Sequence, residues 1–162
     1  TLLKLFEKIP TIKAIKDWCN DPMLHEKHIR VFQNLDRPVN VLTTHSSWLM
    51  SSLVMGANGL LSGAGSVIAD LQVKLFNAVK SNDLSNAKKI NDTIFPLVQL
   101  FYKPPFLDMH NRMKETLVIL NRIDKAFVRP PLMKLSIKEI ETLRLVVEKL
   151  NLEENHKVDA AE

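Results

Sequence analysis

At 162 residues and 46% hydrophobic, the chain is long enough to bury one core. Its net charge of +4, from 22 Lys+Arg against 18 Asp+Glu, is spread without any basic run interleaved with aromatics, which gives nucleic-acid binding little support. No apolar run approaches the roughly 18 residues of a membrane span, Thr1 opens no signal-peptide pattern, and a single cysteine, Cys19, excludes an internal disulfide framework and fits a reducing compartment.

In chain order, Leu2, Leu5 and Phe6 stand at helical spacing until Pro10 stops the pattern. Thr11 to Asp17 reads as a strand, Asn20-Asp21-Pro22 as a turn, and Met23 to Leu35 as a helix with Leu24, His28, Val31, Phe32 and Leu35 on one face. Val39 to Thr43 is the next strand, Trp48 to Met55 an apolar helix closed by Gly56, and Gly59 to Ser62 a short strand. Ser66 is placed to cap a helix burying Ile68, Leu71, Leu75 and Val79. Three strand-helix units in succession predict a parallel sheet with helices outside it.

After Asn82 the strands stop. Asp83 to Tyr102 is a helix that Pro96 is expected to bend, Met109 to Arg122 is another, and Ser136 with Glu139 makes a capping box for a last one burying Ile140, Leu143, Val147 and Leu150. The expected organisation is a sheet unit over 1–81, a three-helix unit over 82–152 and a frayed tail over 153–162.

Few residues stand out for chemistry. Strand alternation puts Ile12, Ala14 and Lys16 on one face and Lys13, Ile15 and Asp17 on the other. Lys16 near a strand C-terminus is either an ion-paired or snorkelling lysine or, if partly desolvated, an amine nucleophile. The hydroxyl-rich turn Thr43-Thr44-His45-Ser46-Ser47 fits substrate hydrogen bonding as well as helix capping. Gly63-Ala64-Gly65-Ser66 ahead of a helix fits an anion or a plain tight turn. His25 and His28 sit three apart on a helix without an evident third metal ligand, and Cys19 reads as a packed thiol.

The stretch Pro10-Thr11-Ile12-Lys13-Ala14-Ile15-Lys16-Asp17 resembles the Pro-Asn-Ile-Val-Gly-Ile-Lys-Glu strand of the dihydrodipicolinate synthase and N-acetylneuraminate lyase family, with Lys16 on the lysine that forms a Schiff base. The likeness continues in order through Val41-Leu42-Thr43-Thr44-His45, Gly56-Ala57-Asn58-Gly59-Leu60-Leu61-Ser62, Asn82-Asp83-Leu84 and Val128-Arg129-Pro130-Pro131-Leu132. The resemblance implies the C-terminal half of a (β/α)8 TIM barrel, strands six to eight, followed by a helical extension. It implies a cytoplasmic homotetramer, and a lyase acting on pyruvate or another 2-keto acid through an imine on Lys16, without metal or organic cofactor. Thr43, Thr44, His45, Leu61, Ser62 and Gly63 would bind substrate, and an N-terminal half of the barrel, absent from this chain, would be needed as partner. Thr44 and His45 depart from the family's Gly-Asp, and Tyr102, the only tyrosine, does not match its proton-relay tyrosine. These departures favour a sugar-derived keto acid as substrate, the alternative being a catalytically silent binding or regulatory protein that keeps the fold.

Overall fold

A computed structural model describes residues 1–152; the tail expected to fray, 153–162, lies outside the described residues. Helix α1 (Leu2–Lys8) buries only Phe6, whose ring meets Phe32 edge-on at 5.0 Å. Strand β1 (Ala14–Asp17) leads through a turn in which Asp21 accepts hydrogen bonds from the Met23 and Leu24 N–H groups and so caps helix α2 (Pro22–Phe32), with Pro22 in its first turn. The buried face of α2 is His25, Ile29 and Phe32; of the expected face Phe32 is buried, His28, Val31 and Leu35 are half-buried, and Leu24 is exposed. Polar anchoring of His25 beneath the helix, described below, sets this rotation.

Strand β2 (Asn40–Thr43), a 3-10 turn (Ser46–Trp48), helix α3 (Leu49–Val54), strand β3 (Gly59–Leu60) and helix α4 (Gly65–Lys80) complete three parallel strands in the order β1-β2-β3. Gly56 takes φ +108° where α3 ends, a conformation costly for residues with a Cβ. Asn58 ties β2 to β3 at both ends of one residue: its N–H donates to Val41 O (3.0 Å), and its Oδ1 accepts from Val41 N–H (2.8 Å). The register pairs Ala14 with Asn40, Lys16 with Leu42, and Leu42 with Gly59.

This register sorts the side chains by face. Ile15, Asp17, Val41 and Thr43 point toward the helices, and the last three are buried. On the opposite face Ala14, Lys16 and Asn40 are exposed and Leu42 is half-buried. Helices therefore cover one side of the sheet only.

Ser66 does not cap α4; the helix begins at Gly65, and the Ser66 hydroxyl donates to Gly63 O within the turn. Ile68 is non-helical (φ −126°, ψ 42°), and the Arg122 guanidinium donates to Val67 O at 2.7 Å, supplying a partner where the helical ladder is interrupted. Helix α5 (Leu84–Phe101), capped by Asp83, runs through Pro96 as one helix. Helices α6 (Met109–Ile119) and α7 (Ile137–Lys149) pack with it; Ser136 Oγ accepts from Glu139 N–H, while the Glu139 carboxylate turns away from the cap to Lys103 and Arg112. The core runs through both regions, from Val41 and Leu49 through Leu75 and Ile94 to Phe101, Leu143 and Val147, all at most 1% exposed.

The expected half-barrel of strands six to eight is corrected: the described residues build an open, unclosed three-stranded parallel sheet with helices along nearly the whole chain. Strands of four, four and two residues lack the number and stagger that curl a sheet into a closed barrel, which takes about eight.

Candidate functional site at the strand ends

Lys16 stands on the uncovered face, one residue before β1 ends, and has no hydrogen bond or ion pair among the described residues. The ion-paired reading open to it from sequence thus has no partner here, and the expected partial desolvation is not supplied by the described residues, since the side chain is exposed.

The residue beside it is held tightly. Asp17 Oδ2 accepts from His25 Nδ1–H at 2.7 Å and from His28 Nδ1–H at 2.9 Å, and Oδ1 accepts from the Cys19 N–H at 3.0 Å. His25 Nε2 in turn lies 2.7 Å from Ser52 Oγ, which donates to it if the ring is neutral. Burial alone would raise the Asp17 carboxyl, but the hydrogen bonds from His25, His28 and Cys19 outweigh it and hold the group well below the usual carboxylate range. Ser52, His25 and Asp17 thus have the connectivity of a nucleophile-base-acid triad. Ser52 and His25 are 0% and 1% exposed, however, so no acyl substrate reaches the hydroxyl, and the chain of bonds instead fastens the β1 exit to α2 and α3.

Of the other expected site residues, Thr43, Thr44 and His45 are buried. Thr43 points to the helix side, away from Lys16, and its hydroxyl has no hydrogen-bond partner among the described residues. His45 Nδ1 meets Ser47 Oγ at 2.8 Å, its ring stacks on Trp18 at 4.9 Å and 20°, and burial pushes its pKa down. Ser62 bonds to Ser46 Oγ and accepts from Gln72 Nε2 at 3.1 Å. Gly63 lies under Met113, where an added Cβ would meet the sulfur at 3.3 Å. Leu61, 51% exposed, continues the β3 ladder by donating to Thr43 O, and the strand alternation puts it on the Lys16 face. The expected residues thus fall into two groups: Lys16 and Leu61 on the open face, and the Thr43–His45 and Ser62–Gly63 loops packed together at the strand ends.

Tyr102 belongs to that second group. Its hydroxyl donates to Ser46 Oγ at 3.2 Å, and its ring lies 6.0 Å from both His45 and Phe106. Trp18, at the β1 exit, contacts His45, Tyr102 and Phe106, so an aromatic cluster joins the sheet to the helical region. The position of Trp18 directly after the strand was the available sequence signal; Tyr102 gave none, since 56 residues separate it from Ser46.

One group among the described residues has the make-up of a cation site: the ligand atoms of Asp17, Cys19 and His28 lie within 4.8 Å of one another. The sequence reading of His25 and His28 found no third ligand; here Asp17 and Cys19 join His28, while His25 has both ring nitrogens engaged.

A family model described as the dihydrodipicolinate synthetase family matches residues 1–150. YagE of Escherichia coli (strain K12), named as a candidate 2-dehydro-3-deoxy-D-gluconate aldolase, is 26% identical over 142 residues, 87% of this chain and 46% of its own length. Dihydrodipicolinate synthase from Thermotoga maritima superposes with a TM-score of 0.81 at 19% identity, over 92% of this chain and 49% of that one. YagE in complex with pyruvate gives 0.79 at 23%, again over 92% and 49%. At these identities the structural likeness carries the fold. The chain matches 46% and 33% of the lengths of two curated relatives, YagE and the 4-hydroxy-tetrahydrodipicolinate synthase of Helicobacter acinonychis (strain Sheeba). The expectation that the resemblance concerns a C-terminal half only is corrected, because the match extends across residues 1–150. With it goes the expectation that a separate N-terminal half is needed as partner and for activity.

Proposed function

From its membership of the dihydrodipicolinate synthetase family, to which this chain belongs by a match over residues 1–150, we propose that it supports class I aldolase or lyase chemistry on pyruvate or a related 2-keto acid, with Lys16 as the imine-forming amine. The observation that carries this reading is Lys16 itself: a side-chain amine without a hydrogen-bond or ion-pair partner among the described residues, on the open face of a parallel sheet, next to the last residue of its strand. Catalytic groups of sheets built from parallel βα units gather at that end.

In the proposed reaction the neutral Lys16 Nζ adds to the keto carbon, and loss of water leaves an iminium. In a 4-hydroxy-2-keto acid the C4 hydroxyl then gives up its proton to solvent as the bond between the third and fourth carbons breaks, C4 leaving as an aldehyde and the bond's electron pair entering the iminium to give an enamine. Protonation of the enamine carbon and hydrolysis release the keto acid and restore the amine. YagE, named for a sugar-acid aldolase and solved in complex with pyruvate, supports a sugar-derived keto acid as substrate.

The test is borohydride reduction in the presence of pyruvate, followed by peptide mass mapping. Labelling is expected at Lys16 and is expected to vanish in Lys16→Arg; an unmodified Lys16 in folded protein sinks the reading. The alternative, a silent binding protein with this fold, is favoured by the exposure of Lys16, whose side chain the described residues do not enclose. It predicts saturable keto-acid binding without reducible adduct.

A further inference from the structure

The exit of β1 gathers three donor atoms that the proposed chemistry leaves unused, and they come from three side chains suited to one class of ion. We propose that Asp17, Cys19 and His28 form a binding site for a divalent, borderline-soft cation of the zinc type. Carboxylate, thiolate and imidazole are the donors such an ion takes, and the Asp17, Cys19 and His28 ligand atoms already lie within 4.8 Å of one another.

The surroundings fix two of the three donors in place. The Asp17 carboxylate is oriented from behind, Oδ1 by the Cys19 N–H and Oδ2 by His25, which is itself held by Ser52. Such outer hydrogen bonds orient a ligating carboxylate before the ion arrives. The His28 ring stacks on Phe32 at 4.9 Å and 15°, with Nδ1 toward Asp17. Cys19 and His28 are half-buried while Asp17 is buried, so an ion approaches from the solvent side toward a carboxylate at the back. His25 is excluded as a ligand because both its nitrogens are engaged within the protein.

Tetrahedral bonds of about 2.0 Å to nitrogen or oxygen and about 2.3 Å to sulfur put donors roughly 3.2–3.7 Å apart, so Asp17 Oδ2 and His28 Nδ1, 2.9 Å apart, open slightly while the widest spacing, within 4.8 Å, closes by up to about 1 Å on binding. The movable donor is Cys19, whose thiol gives up only a 3.3 Å contact to Asp21 O. The proton balance is explicit. Burial and the neighbouring Asp17 raise the Cys19 thiol, so it is protonated at neutral pH and its proton leaves to solvent as the sulfur binds. His28 binds the ion through Nδ1 and carries its ring proton on Nε2 in the complex. Asp17 Oδ2 exchanges the His28 donor for the ion and keeps that of His25, and water fills the fourth position.

The experiment titrates the full chain, freed of metal by chelator, with Co²⁺ and records the near-ultraviolet thiolate-to-Co²⁺ charge-transfer band. Cys19 is the only cysteine in the chain, so the band reports that residue alone. Expected are one Co²⁺ per chain, displacement by Zn²⁺, and an affinity rising about tenfold per pH unit while the thiol is protonated. The band is expected to disappear in Cys19→Ser, to weaken in affinity at least about tenfold in His28→Ala, and to be unchanged in His110→Ala, a histidine outside the cluster. Circular dichroism establishes that each variant is folded; His28 is partly exposed, so its truncation spares the core. Absence of the band in folded chain, one ion shared by two chains, or a band indifferent to His28→Ala each overturns the proposal. None of these readouts depends on the role of Lys16.

Discussion

His45 shows what burial does to a single titratable side chain at the strand ends. It is 7% exposed, stacked on Trp18, and has a depressed pKa because the protein interior disfavours the imidazolium. The unfolded chain, with its ordinary histidine, binds the proton more readily than the fold does. The contribution of His45 to stability is therefore complete above about pH 7.5 and declines as pH falls through about 6.5 toward the folded value. His45→Phe keeps a stacking ring and removes the titration; its urea midpoint is expected to fall less than wild type between about pH 7.5 and pH 5.5. A pH dependence unchanged in that variant would assign the effect to another histidine. Beside it, Lys16 and Asp17 divide one strand end between two tasks: the lysine is free on the open face, and the carboxylate is bonded on the covered one.

At the level of elements, the helix termini follow local rules where the capping side chain has no stronger competitor. Asp21, Asp83 and Ser136 all accept from the first-turn N–H groups of their helices. Asp83→Ala is expected to cost about 1 kcal/mol, read as a lower urea midpoint with an unchanged slope. Ser66 and Glu139 depart from the same rules for physical reasons. The tight Gly63-Ala64-Gly65 turn starts α4 before Ser66 and takes its hydroxyl to Gly63 O, and the two cations Lys103 and Arg112 draw the Glu139 carboxylate away from its capping role. Opposite charges on α6 and on the bend that follows α5 outweigh one more bond to a backbone amide. The α2 face departs from its sequence pattern for a related reason: helical periodicity alone does not distinguish a polar residue on the buried face from one at its rim, and His25 is buried because Asp17 and Ser52 satisfy it.

Across the whole molecule, the helical region is secured to itself by one buried cation. Arg112 is 1% exposed; it donates to Phe101 O (3.2 Å), Lys103 O (2.6 Å) and Pro104 O (3.3 Å), and its Nε lies 3.4 Å from Glu139 Oε1, an ion-pair distance longer than a good hydrogen bond. Arg112→Met fills similar volume but strands these carbonyls, and is expected to cost about 3 kcal/mol in equilibrium unfolding. A loss below about 1 kcal/mol would show that water replaces the guanidinium. Element order, the strand-turn-helix units, the cap at Ser136, and the placing of Lys16 near a strand end were determined by sequence alone, because each rests on periodicity or on contacts within a few residues. The tertiary structure alone decided that the sheet stays open with one bare face, that Lys16 lies unpaired on it, that Ser52 closes the Asp17–His25 chain from 27 residues away, and that Tyr102 reaches Ser46. Those arrangements depend on which surfaces meet after the chain folds back on itself, and a pattern with a period of two or 3.6 residues carries no record of that meeting.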